Sequence, residues 1–379
     1  MVLLIALLSR LTVLVSGLVG FSFFNIFTVP RLIFPNIYLD IFGNFDGGWY
    51  QKIALFGYPM LGHIPSGNWA FFPLYPFLMS IGGELLRGIM NIPLSMAVML
   101  AGFIISNALF FVSVFLFYKL SKLLINNKKI VLISVAFFCF WGSSFFYSAV
   151  YSESLFMTLT LLAFYFLEKG QTKKSTIFGF FAGLARSSGF LISVPFIYNG
   201  LQTRKYRTAI LQSFVIFLPY ILFSLYGYFA TGTFPVREVA QKLYWASTLS
   251  YPVTQTLLVE NLGLMIFFTI EALVIAIPII YYLYSEKISF RDFVFGLNKR
   301  KDLKYWALTL VAAVMLVFVA IYSQANSIQR YAIIILPMYW VSAFIWRKNS
   351  KIGKMLLLLC MILLIIGSII FASGRSFIL

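Results

Sequence analysis

Long apolar runs divide this sequence, at 5–27, 93–118, 130–148, 153–167, 176–199, 208–230, 262–284, 305–323, 331–346 and 354–372. Most approach or exceed the ~20 apolar residues that a helix needs to cross a bilayer. They do not alternate apolar with polar residues, which sets aside a transmembrane β-barrel. Only 11% of the residues are charged and the mean hydropathy is +0.93. A water-soluble globule carries about 25% charged residues, so this chain lacks the polar surface to be one. The expectation is an all-α fold, a polytopic transmembrane helical bundle of about 9–11 spans. It forms one integral membrane domain over residues 1–379, with no soluble domain. The first run reads as a retained span, because no small-residue cleavage site closes it cleanly.

The net charge of +18 does not imply nucleic acid here. Lys and Arg cluster in short loops between the apolar runs: Lys119 to Lys129, Lys169 to Lys174, Arg204 to Arg207, Lys287 to Lys304 and Arg347 to Lys354. That is the signature of cytoplasmic loops beside anionic membrane lipids. Loops 28–69, 148–152, 231–261 and 324–330 then face outward. On this sorting Asp40, Asp46, Glu153, Glu238 and Glu260 fall outside or at the outer edge. Glu84, Glu168, Glu286, Asp292 and Asp302 fall in or near cytoplasmic loops on the reading in which 70–89 does not span, and Glu271 lies inside a span.

Two stretches resist simple alternation. Residues 70–89 are apolar but broken by Pro73, Pro76, Gly82 and Gly83, so they either span or lie at the interface as a short helix. Residues 176–199 lie between two basic loops. They form one span that breaks the charge rule, or two half-helices that enter and return, which Gly183, Gly189 and Pro195 permit. The cysteines Cys139 and Cys360 both sit in apolar runs, so no disulfide framework is implied. His63 is the only histidine, which leaves no Cys/His metal cluster, and no Asp-x-Asp pair or phosphate-binding Gly-rich loop is present.

The informative residues are charges where charge is scarce. Loop 28–69, the first extracytoplasmic loop, is long enough to be functional. It carries Asp46 in Asn44-Phe45-Asp46-Gly47-Gly48-Trp49-Tyr50, with Tyr58 further on. Gly47 and Gly48 allow a tight turn and the close approach of another molecule. Asp46 is either a general base, once desolvated, or a turn or helix-capping residue. Trp49, Tyr50 and Tyr58 are sugar- or lipid-stacking surfaces, or anchors at the headgroup level. Glu153 is a helix N-terminal charge or a site carboxylate. Arg186 lies deep in an apolar stretch, where arginine faces a polar cavity or an anion. Arg330, after Gln329, suits a phosphate through its planar, multi-donor head, or snorkels to the interface. A cluster of such charges at one edge fits an enzyme that uses a lipid-linked phosphate donor. The alternative is a multi-pass transporter or flippase of a lipid or anionic solute, which would place the charges near the midplane between repeated halves.

Taken in order, the motifs resemble the GPI mannosyltransferase II (PIG-V) family. They are Phe45-Asp46-Gly-Gly-Trp-Tyr-Gln-Lys-Ile53-Ala54-Leu-Phe-Gly57-Tyr58, Ala70-Phe71-Phe72-Pro73-Leu74-Tyr75-Pro76, Tyr151-Ser152-Glu153-Ser154-Leu155, Arg186-Ser187-Ser188-Gly189, and Gln329-Arg330 with Pro337. The sequence departs from the family pattern at Phe45, often Trp, and at Gly47-Gly48, where bulkier or polar residues are expected.

The resemblance implies a GT-C-like glycosyltransferase, with short interfacial helices in the first outer loop. Such an enzyme moves a sugar, mannose in this family, from a polyprenyl- or dolichyl-phosphate carrier to a lipid-linked or glycan acceptor, with inversion. No metal and no cofactor is expected, since the lipid-phosphate sugar is itself the donor. By the resemblance Asp46 is the catalytic base. Glu153, Arg186, Gln329, Arg330, Trp49, Tyr50 and Tyr58 bind substrate. The small outer loops and the departures point to a prokaryotic relative in the cell membrane; a eukaryotic one would sit in the endoplasmic reticulum membrane, in GPI-anchor-like biosynthesis.

Overall fold

Helices follow the apolar runs, and their ends fall where capping chemistry or a special backbone angle stops them. The computed structural model of the protein describes residues 1–24, 37–61, 64–245, 270, 273–274, 330, 333 and 335–374. Helix α1 covers Val2–Phe24. The first outer loop holds α2 (Ile37–Phe42), α3 (Asp46–Phe56), a two-stranded antiparallel pair β1 (Met60–Leu61) and β2 (Ile64–Pro65), a 3-10 turn at Gly67–Ala70, and α4 (Leu74–Met90). Then come α5 (Leu94–Leu124), α6 (Lys128–Phe140), a 3-10 turn at Ser144–Tyr147, α7 (Glu153–Glu168) and α8 (Thr172–Ala185). A 3-10 turn at Ser187–Ile192 leads into α9 (Ser193–Thr203), α10 (Tyr206–Thr231) and α11 (Val236–Trp245). The last described helices are α12 (Leu336–Lys348) and α13 (Ser350–Ala372). Asn127 and Asn349 cap α6 and α13 by accepting from Lys129 and Ile130, and from Lys351 and Ile352, which satisfies N–H groups that a helix start leaves open.

Four described helices, α1, α5, α10 and α13, are long and apolar enough to cross a membrane by themselves. Helices α6, α7, α8 and α12 hold 13, 16, 14 and 13 residues, shorter than the ~20 of a full crossing. The expected spans at 262–284 and 305–323 lie almost wholly outside the described residues. Outward-facing leucines of α1 and phenylalanines of α10 stay exposed, as a lipid-facing surface requires. Inside, α1 packs on α13, α5 on α7 and α6, and α12 on α6. The α1–α13 contact is close because Gly20 rests against the backbone of Ile369, where any Cβ would collide.

Both ambiguous stretches resolve. Residues 176–199 break into two helices at Arg186, whose extended backbone (φ −150°, ψ 148°) interrupts the run. Near the start of α10, Gln212 bonds Thr176 of α8 while Gly200 of α9 meets Ala209. Further along α10, Pro219 meets Gly183 and Phe217 meets Phe190. Helix α9 therefore returns toward the end from which α8 set out, and the two basic loops at 169–174 and 204–207 share one side.

Helix α4 runs antiparallel to the first turns of α5. Tyr75 bonds Gly102 and Ser106, and Gly83 packs on Val98. Ser106 in turn donates to Tyr151 O at 3.1 Å. At its other end α5 meets α12, where Trp340 Nε1 donates to Ser121 Oγ, beside the basic loops. Helix α4 therefore projects away from the basic side rather than crossing to it. This corrects the sorting of Glu84, which lies with the outer loop, paired with Arg87. The exposed stripe Phe77, Ile81, Leu85 and Ile89 repeats every four residues, as in a helix lying at an interface.

Candidate active site

Asp46 opens α3, and the chain reaches it through a forced corner. Phe45 has φ 53° and ψ −110°, a left-handed conformation that costs a non-glycine residue free energy. Its surroundings hold it there. Phe45 packs on Phe371 with ring centroids 5.6 Å apart, and Asn44 Nδ2 donates to Phe371 O at 2.8 Å. The Asp46 N–H donates to Tyr151 Oη at 3.2 Å, and Tyr151 Oη donates to Asn44 O at 3.1 Å. Val150 N donates to Phe42 O at 2.9 Å. The first outer loop and the 148–152 loop are thus stitched together just where each presents its carboxylate.

Glu153 is the first residue of α7, so its charge also suits the helix N-terminus. Its side chain is 1% exposed, against 17% for Asp46. Arg186 and Arg330 both pair with Glu153 Oε1, the latter through Nε at 2.6 Å. Arg330 Nη1 also donates to Asp46 Oδ2. The Arg330 guanidinium lies over the Tyr151 ring, 4.5 Å from its centroid, a favourable cation–π placement. Two carboxylates and two guanidinium groups therefore meet from four separate segments, and their formal charges cancel. A narrow gap in the packing beside this cluster is lined by Glu153, Phe156, Met157, Arg186, Arg330 and Ile333.

The motif Arg186-Ser187-Ser188-Gly189 has a local reason. After Arg186 the chain folds back on the end of α8, and a Cβ at Gly189 would lie 2.6 Å from Ala182 O and Gly183 Cα. Only glycine permits that approach, and the turn it allows sets Arg186 at the tip of the α8–α9 pair.

The aromatic candidates occupy different ground. Tyr50 donates to or accepts from Ser152 Oγ at 2.8 Å, next to Glu153. Burial first, and the Glu153 charge second, push its hydroxyl pKa up to about 12. Tyr151 is likewise raised, by burial and then by Asp46, so both hydroxyls keep their protons. Trp49 packs against Phe71, Tyr244 and Trp245, with Lys52 Nζ 4.7 Å above its ring. Tyr58 donates to Phe71 O at 2.9 Å and packs on Trp69, Phe223 and Tyr226. Trp49 and Tyr58 thus tie the outer loop to α11 and α10 and take no part in the charge cluster. Gln329 lies outside the described residues. Among the described residues no group of three or more His, Cys, Asp or Glu is placed to hold a metal ion.

Sequence reasoning missed Arg10. In the middle of α1 it donates to Ser9 Oγ, Ser144 O, Ser144 Oγ, Ser148 Oγ and Cys139 O at 2.8–3.3 Å, and its guanidinium lies 3.9 Å over Phe110. It gathers the turn that precedes Tyr151 and Glu153. The signal was present: one arginine inside an apolar run is expensive and seldom idle.

A family profile described as Mannosyltransferase (PIG-V) matches residues 35–358. GPI alpha-1,6-mannosyltransferase 2 of Homo sapiens is 29% identical over 184 residues, covering 44% of this chain and 37% of that protein. GPI mannosyltransferase 2 of Schizosaccharomyces pombe is 27% identical over 187 residues, covering 48% of this chain and 38% of that protein. The match thus spans under two-fifths of the length of these relatives. Among solved structures, the apo oligosaccharyltransferase of Archaeoglobus fulgidus superposes with a TM-score of 0.48 at 12% identity, over 97% of this chain and 56% of that one.

Proposed function

The chain belongs to the mannosyltransferase (PIG-V) family, and from that premise we propose that it is a membrane glycosyltransferase. It moves a hexose, mannose by kinship, from a polyprenyl- or dolichyl-phosphate carrier to a lipid-linked or glycan acceptor at the extracytoplasmic face. In a prokaryote that face is the outside of the cell membrane. The observation that carries the reading is the convergence of Asp46, Glu153, Arg186 and Arg330 on one site.

In this reading Asp46 is the base. It is the more accessible of the two carboxylates, and at Gly48, two residues on, nothing lies within 4 Å of where a side chain would begin. An acceptor hydroxyl approaches over that gap and gives its proton to Asp46. Its oxygen attacks the anomeric carbon, and the bond from that carbon to the phosphate oxygen breaks with inversion. The lipid phosphate leaves with the electron pair. Arg186 and Arg330 face the charge that grows on it, where preorganised donors are most effective.

Arg330 donates to Asp46. A donor phosphate offers that guanidinium a third anion, so donor binding draws Arg330 toward the phosphate and frees the Asp46 carboxylate for the acceptor. The scheme uses no cofactor, because the lipid-linked sugar is the donor.

The test is Asp46→Asn, assayed with polyprenyl-phosphate mannose and candidate acceptors by mass spectrometry of the products. Donor binding should persist while transfer falls by about 10²- to 10⁴-fold, the usual contribution of a positioned base. Transfer at the parent rate by a folded Asp46→Asn variant removes Asp46 from the mechanism.

A further inference from the structure

Glu153 is 2% exposed, yet among the described residues only one of its two oxygens is engaged. Arg186 and Arg330 both converge on Oε1. Oε2 is buried and accepts no hydrogen bond among the described residues. A buried acceptor left without a donor is costly, more so when charged, and such groups in folded proteins call for an explanation. Arg186 and Arg330, the nearest strong donors, both engage the other oxygen.

The gap beside Glu153 indicates what would supply it. Arg186 and Arg330, charge-balanced by Glu153 and Asp46, set guanidinium donors at one end, while Phe156, Met157 and Ile333 make the other apolar. Glu153, Phe156 and Met157 stand at i, i+3 and i+4 on one face of α7. A ligand that satisfies all of these has an anionic head, an apolar stem and a hydrogen-bond donor near the head. A bare lipid phosphate provides only the first two. Its second ionisation lies near pH 6, so at neutral pH its additional charge is turned against Glu153. A sugar esterified to that phosphate removes the second charge and brings hydroxyl donors.

We propose that Glu153 Oε2 accepts a hydrogen bond from a hydroxyl of the sugar on a lipid-linked phosphate. Glu153 thereby selects the sugar-bearing carrier over the bare lipid phosphate that remains after transfer. This rests on the donor class assigned above but not on Asp46 as the base. Glu153 is a specificity-determining residue: it favours loading of the donor and expulsion of the spent carrier.

The experiment measures binding without acceptor, using the full chain in nanodiscs with polyprenyl-phosphate mannose and with polyprenyl phosphate. A hydrogen bond to a charged group contributes about 1.5–3 kcal/mol, which corresponds to roughly tenfold to hundredfold in affinity. The parent should prefer the mannosylated lipid by that factor. Glu153→Gln should narrow the preference to under threefold, and Glu153→Asp, which withdraws the oxygen by one methylene, should do the same if the Gln variant fails to fold. In a monodeoxy-mannose series, one missing hydroxyl should reproduce the loss in the parent and have no effect in Glu153→Gln. Equal binding of the two lipids by the parent, or a preference that survives in the folded variants, overturns the assignment. A parent that shows the preference but transfers no hexose overturns the transferase reading and leaves the Glu153 assignment standing.

Discussion

Arg330 donates through Nη1 to the Asp46 carboxylate, 284 positions earlier in the chain. The same guanidinium donates through Nε to Glu153 at 2.6 Å, so one planar head sets the spacing between two carboxylates. The Tyr151 ring supports that head from below, and the Tyr151 hydroxyl fixes the backbone at Asp46. The geometry is therefore cooperative: displacing Arg330 disturbs both acids, and displacing Tyr151 disturbs Arg330 as well as Asp46.

Arg330→Lys keeps the positive charge but replaces a two-pronged donor with a single ammonium, which cannot reproduce both contacts. Transfer should fall by about 10²-fold, comparable to removing one donor from a site of developing negative charge. Combined with Asp46→Asn, the loss should be well short of the product of the two single losses, because the residues share one network. Initial rates for the four proteins of this cycle check it, and strictly multiplicative losses would show that Arg330 and Asp46 act independently.

Arg10 supports the same corner from beneath. Arg10→Met should remove the guanidinium bonds to Ser144 O, Ser144 Oγ and Ser148 Oγ, while Cys139 O keeps its bond from Ser144 Oγ, at a cost of about 1–3 kcal/mol. Arg10→Lys, with fewer and differently directed donors, should fall between that variant and the parent. Thermal unfolding in detergent, paired with transfer assays, reads both effects. A folded Arg10→Met variant with the parent midpoint would mean that the 139–148 turn holds its shape without it.

Much of the candidate site was legible in the sequence for one physical reason: ionised groups are costly among apolar residues, so those that occur are placed. Arg186 and Arg330 stand out on that ground and Asp46 and Glu153 through the ordered motifs, and the four side chains meet in one candidate site. Arg10 was passed over, because a single charge in a long first run was absorbed into the span. Aromatic residues are harder to assign. Trp49 and Tyr58 lie in the same loop as Asp46, but a ring that packs on α11 or α10 has the same sequence appearance as one that stacks on a sugar. The fold was legible as helices because apolar length decides that. The break at Arg186 was left open between two arrangements, since glycine and proline permit a turn without specifying where the chain goes next. Contacts along α10 decided it. The side taken by α4 was missed for a similar reason: only its pairing with the first turns of α5 fixes it.

Tyr50 gives a pH signature. Its folded-state pKa is raised from 10.0 to about 12, so between these values the unfolded chain releases a proton that the folded chain retains. The stability this group contributes is present in full below pH 10 and is lost as the pH rises through about 12. Tyr50→Phe should cost about 1 kcal/mol at neutral pH for the lost Ser152 bond. Its unfolding midpoint should then decline less steeply than the parent's between pH 10 and 12. Parallel declines would show that Tyr50 does not titrate in that window.

Gly189 and Gly48 make a matched pair for testing how the site is shaped. At Gly189 an added Cβ would lie 2.6 Å from Ala182 O and from Gly183 Cα, and neither backbone can yield without shifting the end of α8. Gly189→Ala should therefore push the 3-10 turn away, draw Arg186 off Glu153 and reduce transfer at least tenfold, by the cost of overpacking a tight contact. At Gly48 nothing lies within 4 Å, and the residue sits in the first turns of α3. Gly48→Ala should leave the fold intact and raise stability by a few tenths to 1 kcal/mol through helix propensity. Because the open side of Gly48 is where the acceptor is proposed to arrive, a larger residue there separates the two substrates. Gly48→Leu should raise the acceptor KM while leaving donor affinity unchanged. A rise in donor Kd instead would place the donor, not the acceptor, over Gly48.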